Sequence, residues 1–261
     1  MSLLRYPGGK TKACTILDEY YGQYANKIKT VYSPFCGGCS FEIFLAKKYK
    51  VKVLANDAFP ELINFWCVAK TKPKELTDEI KKIKSTITKE KFYALKQEII
   101  GEKDTVKLGA YFYALNRCSF SGSTMSGGFS AESVEKRFTM NCINKIQGLD
   151  LSGFTFSNKD FSVFLDEIPD EENTMIFLDP PYYLDVGKRN LYGNKGNLHK
   201  DFDHNLLYNK IMTKKKCLWI QCYNNCQYIR DLYKDYIIHD ASWTYGMNKS
   251  KVSSEVIITL R

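Results

Sequence analysis

No run of about 18 apolar residues occurs in this 261-residue chain, so no segment is expected to span a bilayer. The first fifteen residues, MSLLRYPGGKTKACT, lack the continuous apolar stretch of a secretory signal, and the protein is expected to stay inside the cell. No internal repeat and no low-complexity tract is present. The glycine pattern GxGxxG is missing, which argues against a nicotinamide or flavin dinucleotide enzyme. GGKT at 8–11 looks like the end of a phosphate-binding loop, but Leu4 stands where that loop needs glycine and no strand precedes it, so this reading fails. A disulfide framework is also absent. The nine cysteines are odd in number and scattered, and Cys14, Cys67 and Cys217 sit in apolar or helical surroundings where a reduced thiol behaves as a small hydrophobe. Cys36 and Cys39 form one CxxC without a second at zinc-finger spacing. Cys222 and Cys226 lie one residue too far apart for a CxxC, though within the range of zinc-ligand spacings, and no metal is expected.

What is present is the composition of a folded α/β protein, with 44% hydrophobic and 26% charged residues. The net charge of +9, spread along the chain as lysine, is compatible with a polyanionic partner without requiring one.

Apolar residues Ala13, Ile16, Leu17 and Tyr20 recur at helical spacing after PGGK. TVYSPF (30–35) reads as a buried strand ending in the glycine turn CGG, and Ser40 is placed to cap a helix whose inner face is Phe41, Phe44 and Leu45. VKVLAND (51–57) reads as a second strand, which completes a parallel βαβ unit. From Pro60 to about Asn116 the periodicity is helical, with Leu76, Ile80, Ile83 and Ile87 on one stripe and Phe92, Leu95 and Ile99 on another. SFSGSTMSGGFS (119–130) reads as a loop or hairpin tip. Sheet-like runs resume at 154–158, 174–180, 216–222, 236–240 and 255–260, with helical signals at 203–212 and 225–233. The expected architecture is a doubly wound α/β sheet built from 1–60 and 150–261, interrupted after its second strand by a mainly helical recognition subdomain, 61–149, with a hairpin near 117–130.

The sharpest motif is Asp179-Pro180-Pro181-Tyr182 after the apolar strand MIFL. Ligands of open α/β sheets bind at the carboxyl ends of strands, where this tetrapeptide falls. Its residue types suit activation of an exocyclic amino group such as that of adenine, a poor nucleophile because its lone pair is delocalised. Asp179 and the Pro180 carbonyl can accept the two amino hydrogens, Pro181 fixes the backbone, and Tyr182 offers a ring on which an extruded base can stack. The bland reading is a Pro-Pro turn with a solvent-facing aspartate. A second motif, Pro34 to Ser40, puts glycines at a strand-to-helix turn, where backbone can approach a cofactor closely. Asp57, about twenty residues after that turn, either holds the ribose hydroxyls of a nucleoside cofactor or caps the helix opening at Pro60.

Taken in order, RYPGGK, PFCGGCSFE, LAND, NKDF and FLDPPYY resemble the Dam-type N6-adenine DNA methyltransferases, and the resemblance covers nearly the whole chain. ALNRCSFSGS with GGFS is similar to that family's asparagine-arginine segment and recognition hairpin, and LYGNKGNLHKDFDH and KSKVSSEVIITL fit its carboxyl-terminal half. The resemblance implies a Rossmann-like methyltransferase sheet with a helical target-recognition insertion, S-adenosyl-L-methionine as cofactor and double-stranded DNA as substrate, and it leaves room for a cognate restriction endonuclease as partner. It further implies that Tyr6 and Lys10 contact the cofactor, that Phe35, Gly37 and Ser40 line its methionine side, and that Asp57 holds its ribose. Asp160 and Phe161 would bind its adenine, and Asp179 would border it while serving with Pro180, Pro181 and Tyr182 as the catalytic group. Arg117, Ser121, Ser123 and Arg137 are the candidate DNA contacts.

Two departures stand out. Ser33 replaces the acid usual before Pro-Phe, and Cys39 replaces a third glycine, so cofactor binding is expected to persist in weakened form. His199, His204 and Lys251 are read as solvated or packing residues, and Tyr183 and Tyr223 as candidates for the base pocket. Among rivals, enzymes acting on protein glutamine usually begin the tetrapeptide with Asn and those acting on the cytosine amino group with Ser, so Asp179 argues against both. An RNA substrate and an inactive DNA-binding module are the remaining alternatives.

Overall fold

A computed structural model of the chain describes residues 2–6, 8–183, 202–243 and 254–260. Its seven strands are β1 (Thr30–Ser33), β2 (Lys52–Asn56), β3 (Phe154–Ser157), β4 (Thr174–Leu178), β5 (Leu218–Asn224), β6 (Ile237–Ala241) and β7 (Glu255–Thr259). They form one sheet in the order β3-β2-β1-β4-β5-β7-β6. The pairs among β1 to β5 are parallel, and β7 runs antiparallel to both β5 and β6. This is a Rossmann-like, doubly wound arrangement, with its topological switch between β1 and β4.

The central strands read as continuous apolar runs because both faces of a parallel sheet are covered. Every residue of β4 is buried. With a period of two, Met175 and Phe177 pack into one core, while Ile176 and Leu178 pack into the other. The outer strands β3 and β6 are less buried, and β6 has no fully buried residue.

Between β1 and β2 lies α2 (Ser40–Tyr49), and α1 (Cys14–Gly22) precedes the sheet. Six helices separate β2 from β3: α3 (Pro60–Thr71), α4 (Pro73–Thr86), α5 (Lys89–Glu98), α6 (Thr105–Cys118), α7 (Ala131–Arg137) and α8 (Met140–Asn144). Helix α6 is their hub, fully buried from Gly109 to Cys118 except at Tyr111. The apolar core runs unbroken from these helices to one face of the sheet. Trp66 of α3 stacks on Phe156 of β3 with ring centroids 5.8 Å apart, so α3 also serves as the crossover helix over the sheet. The later crossovers use α9 (Phe161–Glu167), α10 (His204–Met212) and α11 (Gln227–Leu232).

Side chains of Thr88, Asp104, Ser130, Thr139, Asp160 and Asp203 cap helices as their residue types favour. Ser40 does not, contrary to the sequence expectation. The N-cap of α2 is Cys39, in the left-handed region at φ 50°, and the Ser40 hydroxyl pairs instead with that of Thr11 at 3.1 Å. A non-glycine residue in that conformation costs about 1 kcal/mol or more, which is why glycine is the commoner choice at such a turn.

Residues 119–129 close on themselves through an antiparallel bridge, Ser119 to Phe129, around a short 3-10 turn at Phe120–Gly122. No helix among the described residues is long and apolar enough to cross a membrane.

Candidate active site

At the carboxyl ends of β1 and β4 a cavity of about 400 Å³ opens where the crossovers diverge, a size typical of small-molecule pockets. Its lining includes Tyr6, Lys10, Phe35, Gly37, Ser40, Asp57, Asp160, Phe161, Asp179, Pro180, Pro181 and Tyr182 and extends to Leu206, so residues up to 200 positions apart in sequence face one space.

The glycine turn forms its floor. Gly37 has φ +43°, and a Cβ there would lie 3.0 Å from the Tyr6 ring, so only glycine lets the amino-terminal segment lie on the turn. The Gly37 amide donates to Asp57 Oδ2 at 3.0 Å, and its carbonyl accepts from Trp66 Nε1 at 3.0 Å. Asp57 Oδ1 accepts from the Phe59 amide at 3.1 Å. The N-cap of α3 is Phe59 without a side-chain cap, so Asp57 ties the glycine turn to the approach to α3 and does not cap that helix. Loss of water pushes the Asp57 carboxyl up to about 6, against the opposing amides of Gly37, Phe59 and Ala58. Asn56 joins three strand ends: its amide nitrogen donates to the Pro34 and Lys159 carbonyls at 3.2 and 3.0 Å, and its oxygen accepts from Ser157 Oγ at 2.9 Å.

One wall of the cavity is aromatic. Phe161 lies 5.5 Å from Phe35 and 5.0 Å from Phe202 between ring centroids, a cluster suited to a flat heterocycle. Asp160 caps α9 through Oδ1, which accepts from the Ser162 amide at 2.8 Å.

The opposite end is charged. Lys10 is 2% exposed, and its Nζ lies 2.6 and 2.7 Å from the two oxygens of Asp179 and 2.8 Å from the Gly8 carbonyl. Burial by itself would lower the Lys10 ammonium, but Asp179, Cys222 and Glu255 outweigh it and hold it above its ordinary range. Burial pushes the Asp179 carboxyl up, while Lys10 pulls it down. The Lys10 ammonium stands 5.1 Å from the Tyr182 ring centroid, and the Tyr182 hydroxyl donates to Glu255. Ser33, the departure noted above, donates to Glu42 Oε1 at 2.6 Å. The acid missing from the end of β1 is therefore supplied from α2, and burial pushes it up to about 7.

Glu42, Phe202 and Glu255 were not singled out in the sequence. Glu42 interrupts the apolar face between Phe41 and Leu45, which was the available signal. Glu255 opens a strand, where a charge looks like an ordinary boundary residue.

The expected DNA contacts separate. Arg117 is not an exposed contact: it is 8% exposed, its guanidinium lies over the Tyr113 ring, and it donates to the Leu3 carbonyl. Beside it, Asn116 brackets the Arg5 backbone, accepting from its amide at 2.9 Å and donating to its carbonyl at 2.7 Å. The asparagine-arginine pair thus clamps the segment that carries Tyr6 and Lys10. Ser121 and Ser123 are half-buried in the loop, Ser121 at φ 55°, and Arg137 is exposed on α7. Phe120, at the base of the loop beside the Ser119–Phe129 bridge, is 70% exposed. Lys96 of α5 steadies the loop by donating to the Met125 carbonyl at 2.9 Å and to that of Gly127.

His204 is a packing residue, buried with Nδ1 2.8 Å from the Tyr223 hydroxyl. Tyr223 is fully buried and lies outside the cavity lining, with its ring centroid 6.1 Å from that of Tyr182. Tyr183 stacks on Tyr228 with centroids 4.3 Å apart. His199 and Lys251 lie outside the described residues. Among the described residues, no group of three or more His, Cys, Asp or Glu is placed to hold a metal ion.

An Asp-Pro-Pro-Tyr turn lies over a glycine-floored cavity in a Rossmann-like sheet, and the family model that matches this chain makes its class that of a methyltransferase. The family model for D12 class N6 adenine-specific DNA methyltransferases matches residues 6–247. The chain belongs to that family and is an enzyme of the DNA-methyltransferase class. No curated protein sequence matches it significantly. Among solved structures it is similar to yhhF from Escherichia coli, named as a methyltransferase, at 8% identity and TM-score 0.40, over 98% of this chain and 90% of that one. It is also similar to the precorrin 8w decarboxylase of Methanobacterium thermoautotrophicum, at 12% identity and TM-score 0.41, over 97% of this chain and 92% of that one. Likenesses of that order carry no functional argument.

Proposed function

We propose that the chain transfers the methyl group of S-adenosylmethionine to the N6 amino group of adenine at a specific site in double-stranded DNA. The observation that carries this reading is the placement of Asp179 and Tyr182 together at the mouth of one cavity with the glycine turn, Asp57 and the aromatic wall.

The residues present fit the cofactor. Asp57, beside the glycine turn, is a carboxylate for a ribose diol, and the Phe35, Phe161 and Phe202 cluster suits an adenine ring with Asp160 at its edge. Buried Glu42 supplies negative charge where the methionine portion, bearing an ammonium and a sulfonium, would be held. When bound, S-adenosylmethionine supplies an already electrophilic methyl group, so the protein needs no covalent intermediate of its own. Asp179 and the Pro180 carbonyl accept the amino hydrogens of the target, and Tyr182 stacks on the extruded base. Flipping that base costs a few kcal/mol, which these contacts offset.

Residues 61–149 act as the target-recognition part in this reading. Exposed Arg137 is suited to phosphate, and exposed Phe120, at the base of a braced loop, is an apolar side chain suited to a base step. The deciding experiment is Asp179→Ala. Its turnover on DNA should fall by at least about a thousandfold while S-adenosylmethionine still binds with near wild-type affinity. Normal turnover by this variant would remove the assignment.

A further inference from the structure

The reading above leaves unexplained a carboxylate outside the tetrapeptide. Glu255 is the first residue of β7, the one strand that runs against its neighbours. Its reversal places Glu255 opposite Asn224, the last residue of β5, at the sheet edge where the parallel strands end. There Glu255 is 2% exposed, and it accepts the hydroxyl hydrogen of Tyr182. Its other oxygen, Oε1, is buried and makes no hydrogen bond among the described residues. Burying a carboxylate with a single hydrogen bond is costly, and a neutral side chain would pack there at lower cost.

The geometry points to Glu255 as a positioning residue that holds the Tyr182 ring, through its hydroxyl, in the orientation on which the target base stacks. This deepens the proposed function and rests on it. The hydroxyl of a tyrosine lies on the axis of its second side-chain torsion, so a hydrogen bond there fixes the first torsion by position. It also biases the ring plane, because a phenol O–H prefers to lie in that plane. Lys10 stands 5.1 Å from the centre of the same ring and is bonded to Asp179, so the surface that receives the base and the group that accepts its hydrogens are set by one buried network. Of the two, Tyr182 touches substrate, and Glu255 acts through it. The ring would hold its place poorly without the strand reversal that brings a carboxylate from β7 to this edge.

The test is a double-mutant cycle with the full chain, using Glu255→Met, Tyr182→Phe and the pair, assayed on DNA carrying the site that the wild-type enzyme methylates. Loss of a hydrogen bond to a charged group predicts that each single variant loses roughly ten- to a hundredfold in kcat, with KM for S-adenosylmethionine within about twofold of wild type. The double variant should be no slower than the slower single one, because both changes break the same contact. Fluorescence of 2-aminopurine at the target position should shift alike in all three complexes, reporting an altered stack. Additive losses, or a Glu255→Met variant with wild-type kcat, would overturn the proposal. Should Glu255→Met fail to fold, Tyr182→Phe decides alone, since full activity without the hydroxyl is incompatible with it. A wild-type enzyme that methylates no adenine would overturn both this inference and the function it rests on.

Discussion

Lys10 and Asp179, separated by 169 positions in sequence, form a buried ion pair in which one ammonium engages both carboxylate oxygens, at 2.6 and 2.7 Å. In the proposed function the pair matters because the ionised carboxylate is the stronger acceptor of amino hydrogens, and burial opposes ionisation. Lys10 is the countervailing charge. Replacing it with methionine leaves burial unopposed and raises the Asp179 carboxyl further. The fall in kcat on acidification should then move toward higher pH. The loss in kcat should be largest on the acid side of the profile and shrink as pH rises. A pH–rate profile with an unmoved acid limb would show that Lys10 does not tune Asp179.

Glu42 makes a second pH prediction. Its carboxyl titrates near 7 in the fold, against 4.5 as its reference, so between those values the folded chain binds more protons than the unfolded one. Stability therefore falls as pH rises through that window. Glu42→Gln removes this loss, and the cofactor-free variant should be more stable than wild type at pH 8, by at most about 3 kcal/mol, with the gain vanishing near pH 4.5. The same variant should bind S-adenosylmethionine more weakly. Denaturation midpoints at the two pH values, with cofactor titrations, check both halves.

The two arginines should separate fold from DNA. Arg117→Ala removes a buried guanidinium that holds the Leu3 carbonyl and packs on Tyr113, and should cost about 2–3 kcal/mol, or roughly 5–10 °C in Tm. Arg137→Ala should leave Tm unchanged, weaken DNA binding across sequences and reduce the salt slope by about one. Equal thermal losses in the two variants would contradict the division.

Asp57→Ala should act on cofactor affinity. Removal of the acceptor that ties Gly37 to the approach of α3 should raise KM for S-adenosylmethionine by about tenfold or more, with kcat changed far less. A change confined to kcat would place Asp57 elsewhere in the mechanism.

These residues differ in how far sequence alone exposes them. The glycine turn and Asp179-Pro180-Pro181-Tyr182 were legible because their signals are local: a strand period, a turn residue and a carboxylate lie within a few positions of each other. The apolar strand from Met175 to Leu178 and the helical stripe of α4 were legible for the same reason. Asn116, Glu42 and Glu255 were not, because each takes its meaning from a partner brought in by the fold: the Arg5 backbone, Ser33 and the Tyr182 hydroxyl. Arg117 was misread because a lone arginine is usually solvated. Here the amino-terminal segment folds over it and supplies a carbonyl in place of water. Ser40 was misread as a cap because Cys39 takes a left-handed conformation that its side chain does not announce.

The central claim is that this site methylates adenine in DNA, and transfer of labelled methyl from S-adenosylmethionine to unmodified duplex DNA tests it most directly. After digestion to nucleosides, the account predicts label in N6-methyladenine, confined to one short sequence context and lost in Asp179→Ala. Label in a cytosine derivative would contradict it, as would DNA left unlabelled by an enzyme that binds the cofactor.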